Sequence, residues 1–420
     1  MAKRIAAIVF IYLCATAAWA VLGATIFART YHAGSTTRES VAASWGTAQE
    51  QAAPTATAER TVLREERSEE NGHTVVRTVQ DVAHDELPLE RSRVSAAFDL
   101  DHRQKGLLWY STYTVDFAGR YRFRNTSTSD SVRFTLPFPS KDAVYDGLVF
   151  TVNGAPVPTT NADGLLVGRA VVPSGETVEL AVGYRSQGLD SWRYAFGAEV
   201  AQVRDFELRM RTDFDRIDVP PNTLSPTTKE RSGDGWLLTW RYASLLSGYE
   251  VGMTMPQKLQ PGPLAGRISL FAPVSLLFFF LVLFLITTVR GIELHPMNYF
   301  FLAAAFFSFH LLLAYLVDHI SIHLAFAVAS AVSIALVVSY LRLVVGSRFA
   351  LREAALAQLV YLVLFSYAFF FEGFTGLAVT IGSVLTLFVV MQMTGRVRWS
   401  VLFAARAAEA RSRPFGPLAS

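Results

Sequence analysis

The residues with the most potential for chemistry are polar side chains embedded in long apolar stretches of the C-terminal third. His310 follows Phe309 within one such stretch, and an ionisable group at bilayer depth is costly in free energy. It must therefore find a partner or stay neutral, and Ser308 and Ser333 are its candidate neighbours. The pattern favours a neutral histidine hydrogen-bonded between helices over a proton-transfer residue.

Further polar residues lie near the ends of these stretches. Asp318 and His319 form an acid–histidine pair, which could act as a base at a membrane surface but is more typical of a solvated turn. His295 precedes Pro296, and proline in the first turn commonly starts a helix without any chemistry. The candidate functional or structural positions are therefore His295, Asn298, His310, Asp318 and His319.

The common signatures of catalysis are missing from the sequence. It contains no glycine-rich phosphate loop, no Cys–His metal-ligand spacing and no Gly-x-Ser-x-Gly elbow. His102 has two acidic neighbours, Asp99 and Asp101, and that string is typical of a charged strand edge or turn. We expect a protein that is not an enzyme, with no catalytic residue, cofactor or metal ion. The net charge of +3 and the lack of a basic stripe argue against nucleic acid as a partner.

Six apolar stretches are long enough to hold these residues in a bilayer. A bilayer core about 30 Å thick needs roughly 20 apolar residues per helix. The predicted spans are residues 5–27, 270–289, 297–317, 322–341, 354–371 and 373–394. We interpret the first as an uncleaved anchor, because its apolar run is too long for a secretory signal. A break of a residue or two around Glu372 predicts a tight hairpin between the last two.

The distribution of basic residues predicts the orientation of the chain. Cytoplasmic loops of membrane proteins carry an excess of Lys and Arg. With the N-terminus in the cytoplasm, the short outer loops carry neither, and only Arg29 and Arg267 lie outside near a span. The basic residues on the inner side are Lys3, Arg4, Arg290, Arg342, Arg348, Arg352, Arg396, Arg398, Arg406, Arg411 and Arg413. The sequence thus predicts a multi-pass protein of the bacterial inner membrane, with both termini cytoplasmic and the large domain periplasmic.

Between the first two spans, two regions differ in pattern. Residues 30–92 are polar and poor in aromatic residues, which predicts a polar linker or a helical stalk. Residues 93–265 alternate apolar and polar side chains, as Val178, Leu180 and Val182 do, which is typical of half-buried strands. Asn153-Gly154 predicts a two-residue hairpin turn. Many short strands at close spacing indicate an antiparallel β-sandwich or jelly-roll-like domain.

The expected fold class is therefore a mixed membrane protein with an N-terminal anchor, an extracytoplasmic β-rich domain and a C-terminal five-helix bundle. Its predicted parts are a transmembrane anchor (1–29), a polar linker or helical stalk (30–92), a periplasmic β-rich domain (93–265), a five-span transmembrane bundle (266–395) and a basic cytoplasmic tail (396–420).

Several strings in the bundle resemble the CreD-type bacterial inner-membrane proteins. The strings run over residues 293–299, 309–315 and 318–319, with Tyr340-Leu341-Arg342 and residues 393–399 at later span ends. His295, Pro296, Tyr299 and His319 match the family's pattern, whereas Asp318 stands where the family usually has Glu, and His310 where it has Tyr. The resemblance implies an inner-membrane protein connected with cell-envelope integrity and envelope stress, and it supplies no catalytic mechanism.

Three functions remain open at this stage. The leading hypothesis is a non-enzymatic protein that supports the envelope, whose β-domain binds or braces a periplasmic component through sheet edges or aromatic residues. The first alternative is a transporter or lipid-handling protein that uses the C-terminal bundle. The second is a membrane-surface enzyme that uses Asp318 and His319. The expected partners are membrane lipids, periplasmic envelope components or other membrane proteins, and the oligomeric state is open.

Overall fold

The computed structural model describes residues 2–70, 73–197, 201–371 and 373–395 of the 420-residue chain. Two compact units are formed, and we call them the membrane unit and the β unit. Of the described residues, those between 2 and 34, 106 and 108, and 259 and 395 form the membrane unit, and those between 35 and 105 and between 109 and 258 form the β unit. Glu372 and the predicted basic tail, with Arg396, Arg398, Arg406, Arg411 and Arg413, lie outside the described residues.

Within the described residues, six helices are long and apolar enough to cross a membrane, as predicted. They are α1 (Ala2–Trp45), α2 (Pro261–Val289), α3 (Pro296–Leu316), α4 (Ile322–Val344), α5 (Ser347–Phe370) and α6 (Thr375–Thr394). Pro261 and Pro296 start α2 and α3, where a missing amide hydrogen costs nothing. At 44 residues, α1 runs well beyond the predicted span and contributes to both units.

Aromatic side chains fill the core of the membrane unit. Phe279 of α2 contacts Phe306 of α3 with ring centroids 4.6 Å apart, and Phe309 meets Phe326 of α4 edge-on at 5.4 Å. Helix α5 is irregular, because residues 350–354 and 359–364 form π-helical turns. Such turns are rare and often occur at functional positions.

The β unit contains sixteen strands among the described residues. They are β1 (Gln49–Ala52), β2 (Thr55–Glu70), β3 (His73–Glu86), β4 (Leu89–Lys105), β5 (Leu108–Arg124), β6 (Ser131–Pro137), β7 (Tyr145–Val152), β8 (Ala155–Pro156), β9 (Thr159–Ala162), β10 (Leu165–Val171), β11 (Thr177–Leu189), β12 (Ser191–Ala195), β13 (Ala201–Thr212), β14 (Thr228–Ser232), β15 (Gly235–Ser247) and β16 (Val251–Thr254).

These strands form three sheets. The largest has the order β14-β15-β13-β4-β5-β11-β7-β8, the second β3-β2-β6-β10-β9, and the third β1-β12-β16. Most neighbours are antiparallel, as expected, but β4 pairs with β13, and β1 with β12, in parallel. The expectation of purely antiparallel sheets is thus wrong for these pairs. Residue alternation reports burial and carries no information on strand direction, and both parallel pairs join strands far apart in sequence.

The predicted hairpin turn and the predicted alternation of buried residues are both confirmed in the β unit. Asn153 and Gly154 have φ angles of 49° and 79°, and they join β7 to β8 as a tight hairpin. Val178, Leu180 and Val182 are all buried in β11. Phe123 of the eight-stranded sheet meets Phe134 of the five-stranded sheet with centroids 6.0 Å apart, so these two sheets share one hydrophobic core.

Residues 49–86 differ from the predicted polar linker or helical stalk. They form β1, β2 and β3, and β2 extends the five-stranded sheet by pairing with β6. Ala56 and Ala58 at the start of β2 are buried in the core, whereas Leu63 and Val82, further along the hairpin, are 70% and 49% exposed. Only two small alanines carry the buried face of β2, so the sequence shows no clear period-two pattern of large apolar residues and was interpreted as a linker or stalk. Only the part up to Trp45 is helical.

Candidate functional site

Asp318, the acid of the predicted acid–histidine pair, contacts α1. The Asp318 carboxylate lies 3.4 Å from the guanidinium of Arg29 on α1, which also donates to the Ala314 carbonyl at 2.9 Å. Among the described residues, no hydrogen bond or ion pair joins the side chains of Asp318 and His319. Both partners of the ion pair are partly exposed, with side-chain exposures of 35% and 28%. Asp318 thus fastens α1 to the end of α3.

His310 is fully buried, and its hydrogen bond is to its own helix. The Nδ1 atom lies 3.0 Å from the Phe306 carbonyl oxygen, which can only accept, so Nδ1 carries a proton. The predicted partners are instead occupied elsewhere, because Ser308 and Ser333 both donate to the Ala305 carbonyl at 2.7 Å. Within the described part of the chain, Nε2 has no partner. The arrangement fits a neutral imidazole.

The two candidates at the start of α3 have structural contacts. The Nδ1 atom of His295 accepts a hydrogen bond from the backbone N–H of Met297 at 3.3 Å and so caps the helix. The Asn298 side-chain oxygen accepts from the Tyr340 hydroxyl at 2.8 Å, which ties α3 to α4. Both residues therefore position helices.

A buried polar network in the middle of the bundle was missed by the sequence reasoning. Gln358 of α5 is fully buried between the two π-helical turns. Its Nε2 donates to Ser333 Oγ at 2.8 Å, and Ser333 Oγ in turn donates to the Ala305 carbonyl at 2.7 Å. The Oε1 atom of Gln358 has no partner among the described residues. A single amide within the apolar run 354–371 was the available signal.

A second missed residue lies at the end of the bundle where α2 stops. Glu353 of α5 is largely buried, with its side chain 16% exposed, and it pairs with Arg290 at 2.6 Å. One carboxylate oxygen, Oε2, has no hydrogen-bond partner within the described residues. Glu353 also belongs to the first π-helical turn, so both π-helical turns of α5 lie next to a buried polar side chain.

The β unit has a shallow groove on the outward face of the eight-stranded sheet, which we call the arginine trough. Its volume is about 390 Å³, and its floor consists of small residues such as Ala97 of β4 and Ala118 of β5. Arg209 and Arg211 of β13 lie along one side, and Asp116 of β5 along the other. Guanidinium groups bind carboxylates and phosphates with paired hydrogen bonds, so the trough suits an anionic group.

The charges around the trough are only partly neutralised. Arg209 Nε lies 2.6 Å from a carboxylate oxygen of Glu207, and Asp116 is 3.7 Å from Arg185. Among the described residues, no ion pair is formed by Arg211. One guanidinium in the trough is therefore available to a ligand.

Another charge cluster of the β unit is structural. Asp205 receives hydrogen bonds from Arg93 and, at 2.5 Å, from Arg91 Nε. Hydrogen bonds from Arg93 and Arg91 hold the pKa of the Asp205 carboxyl below its usual value. His102, singled out by its acidic neighbours, lies 2.9 Å from the Pro256 carbonyl oxygen through Nε2 and so fastens β4. Grouped His, Cys, Asp or Glu side chains that could hold a metal ion are absent from the described residues.

The aromatic residues considered as a ligand platform are mostly core. Trp192 and Tyr194 are 0% and 1% exposed, and Tyr110 is buried as well. The Tyr194 hydroxyl donates to that of Tyr121 at 3.3 Å, and burial raises the pKa of both hydroxyls. Trp109 instead lies under the ammonium group of Lys258, 4.4 Å from the ring centroid.

Comparison with known proteins found similarity over parts of the chain. Residues 243–400 match the family model described as Inner membrane protein CreD, which confirms the resemblance found in the sequence. No curated protein matches the chain. Among solved structures, the chain is similar to a candidate nutrient-binding protein from Legionella pneumophila, with 9% identity, a TM-score of 0.36, and coverage of 56% of this chain and 76% of that one. The family match and the six apolar helices identify a multi-pass inner-membrane protein.

Proposed function

We propose that this inner-membrane protein, which matches the CreD family over residues 243–400, is a non-enzymatic support of the cell envelope. In this proposal the β unit is periplasmic and binds or braces an envelope component. The orientation rests on the positive-inside rule, because Lys3, Arg4 and Arg290 lie at one end of the spans, with Arg29 at the other.

The observation that carries the proposal is the arginine trough. The trough is shallow, and its lining residues come from the neighbouring strands β15, β13, β4 and β5, so it suits an extended segment that crosses the sheet. Small floor residues allow close approach, and Arg211 has no carboxylate partner among the described residues. We expect the ligand to be an extended envelope component that carries carboxylate or phosphate groups.

Site-specific photocrosslinking in intact cells tests this function. A photoreactive amino acid in place of Ala118 is expected to capture an anionic envelope component, since Ala118 forms part of the trough floor. Replacing Arg209 and Arg211 together with Glu should abolish the capture by reversing the local charge. The matched control is Arg216→Glu, which changes an exposed arginine outside the trough. Equal capture in all three proteins would refute the trough as the binding site.

A second candidate function, transport or lipid handling by the bundle, is favoured by the Gln358 network. Polar side chains within membrane spans are costly to bury, and they line substrate paths in many transport proteins as well as joining helices. Gln358 and Ser333 join three helices at mid-bundle, and π-helical turns flank Gln358. Purified protein in liposomes should then show solute flux or lipid movement between leaflets that is lost in Gln358→Leu. Flux that is absent from the wild-type liposomes would remove this candidate.

A further inference from the structure

A cleft of about 670 Å³ lies in the β unit, between the loop that precedes β7 and the turn that joins β9 to β10. Its volume is in the range of pockets that bind small ligands. Leu148 and Leu166 form part of an apolar wall, and Leu148 is 41% exposed. Phe138 and Tyr145, whose ring centroids are 4.5 Å apart, complete this wall. The cleft therefore has an apolar surface against which a ligand side chain can pack.

Two residues that line the cleft carry opposite charges and are exposed, Lys141 and Asp163. Among the described residues, neither forms an ion pair or a side-chain hydrogen bond. The aliphatic part of the Lys141 side chain lies close to Gly164, which follows Asp163, so the two charged residues are neighbours. Asn161 adds an amide that can both donate and accept a hydrogen bond. A ligand with one positive and one negative group would neutralise both charges.

Both charges are carried by segments that hydrogen bonds hold in place. The Tyr145 hydroxyl donates to the Ser140 carbonyl at 2.7 Å and accepts from the Ser140 backbone N–H at 2.9 Å, which fixes the loop that precedes β7. Asp163 and Gly164 have φ angles of 53° and 78° and form the two-residue turn between β9 and β10. The Phe138 N–H donates to the Gly164 carbonyl at 3.0 Å and joins this turn to the loop. A ligand would therefore bind without the entropy cost of ordering these segments.

Strand β7 adds an open backbone edge at the cleft. The Phe150 carbonyl accepts from the Val157 N–H at 3.3 Å, on the side of β7 that faces away from β11. Backbone groups of an antiparallel strand alternate in direction, so the N–H and C=O of Leu148, two residues earlier, lie on the same side. Strand β8 pairs only with Thr151 and Val152, and no described strand pairs with Leu148 there. Unpaired peptide groups at a sheet edge are suited to another peptide backbone.

We propose that this cleft binds a short peptide with free termini and an apolar side chain. The terminal carboxylate of the peptide pairs with the Lys141 ammonium group, and its terminal ammonium group pairs with the Asp163 carboxylate. Its backbone bonds to the open edge at Leu148, and its side chain packs against Leu148 and Leu166. The ligand is thus small and zwitterionic, unlike the extended anionic ligand of the trough. Because the two sites share no lining residue, the two proposals can fail separately.

Calorimetric titration of the full-length protein in detergent micelles tests the proposal. The probes are the tripeptide Ala-Leu-Ala, its N-acetylated form and its C-amidated form. We expect the tripeptide with free termini to bind, and each blocked form to bind about tenfold more weakly, because one charge-assisted contact is lost. Lys141→Met should also weaken binding of the free tripeptide about tenfold, and C-amidation should then have no further effect. Asp163→Asn should stand in the same relation to N-acetylation.

The matched controls are Lys229→Met and Asp234→Asn, which change exposed residues of the β unit outside the cleft. Both should bind the free tripeptide as the wild type does. The blocked peptides test the same contacts on the unaltered protein, so the result does not depend on the folding of any variant. The proposal is overturned if the wild type does not bind the free tripeptide, if it binds the free and blocked forms equally, or if the control variants lose as much affinity as the cleft variants.

Discussion

Replacing Gln358 by leucine should stabilise the membrane unit, although it removes a hydrogen bond. The amide Nε2 donates to Ser333 Oγ at 2.8 Å, and such bonds between membrane helices contribute only about 0.6 kcal/mol. The other amide atom, Oε1, is buried without a partner in the described structure, which costs about 1–3 kcal/mol. Leucine has a similar volume and no polar atom, so it removes the larger cost along with the smaller gain.

The expected gain is therefore about 1 kcal/mol or somewhat more. It can be measured by SDS-induced unfolding of the purified protein in mixed micelles, followed by circular dichroism. The helical signal of α2–α6 should persist to higher SDS in Gln358→Leu than in the wild type. If Gln358→Leu gains stability and also loses the solute flux or lipid movement expected in liposomes, the amide serves function and lowers the stability of the fold.

The same hydrogen bond can be broken from its other side with the opposite result. Ser333→Ala leaves the whole Gln358 amide buried and unpaired, because Ser333 is its hydrogen-bond acceptor. This change should destabilise the bundle by about 1–3 kcal/mol. If Gln358→Leu and Ser333→Ala destabilise by similar amounts, the reasoning is refuted, since Oε1 must then have a partner, such as a buried water molecule.

Three further outcomes are expected. Gly46→Ala should lower the free energy of unfolding of the β unit by about 2 kcal/mol. Gly46 has a φ of +111°, and the Cβ of an alanine there would lie 2.5 Å from the Gln187 carbonyl oxygen. An unchanged melting temperature would contradict this prediction. The arginine partners of Asp205 lower the pKa of its carboxyl group in the folded protein. The ionised carboxylate should therefore stabilise the fold at pH values above its unfolded pKa of about 3.9, and this stabilisation should disappear as the pH falls through the lower pKa of the folded state. The melting curves of the wild type and Asp205→Asn should accordingly converge in acid. Asp318→Asn should change the free energy of unfolding by less than about 1 kcal/mol, because the ion pair between Asp318 and Arg29 is partly exposed. Loss of the protein's function in the cell, with intact folding and membrane insertion, would instead favour the alternative of a membrane-surface enzyme.

The features that sequence predicts well here depend on burial along a single element. Twenty apolar residues in succession cross a bilayer whatever they contact, so the six spans were predictable. The strand β11 was equally clear, since its alternate residues are buried by one core face. Where burial is weak, the pattern fails, and the β2–β3 hairpin was predicted as a linker because its exposed residues follow no apolar period.

The polar residues of the bundle show a different limit. His310 and Asp318 are easy to select from the sequence because their side chains can ionise. In the structure, however, His310 bonds to its own helix, and the ion pair of Asp318 is partly exposed. Gln358 does not ionise, and one amide hardly changes the hydropathy of α5, but packing buries it completely and leaves its Oε1 atom without a partner among the described residues. The free-energy cost of burying a polar group depends on its hydrogen-bond partners on neighbouring helices, and those partners are determined only when the helices pack.

The same reasoning explains why Arg4 looked ordinary in the sequence. A basic residue ahead of a first span is what the positive-inside rule requires, and it normally extends into water or among lipid headgroups. In the structure its side chain lies against the Tyr299 hydroxyl, with the Nε and Nη2 atoms buried. Arg290 at the same end shows the alternative, since Glu353 neutralises it within the protein. Two arginines at one end of one bundle thus differ in what they contact, because Arg290 pairs with a carboxylate and Arg4 lies against a tyrosine hydroxyl.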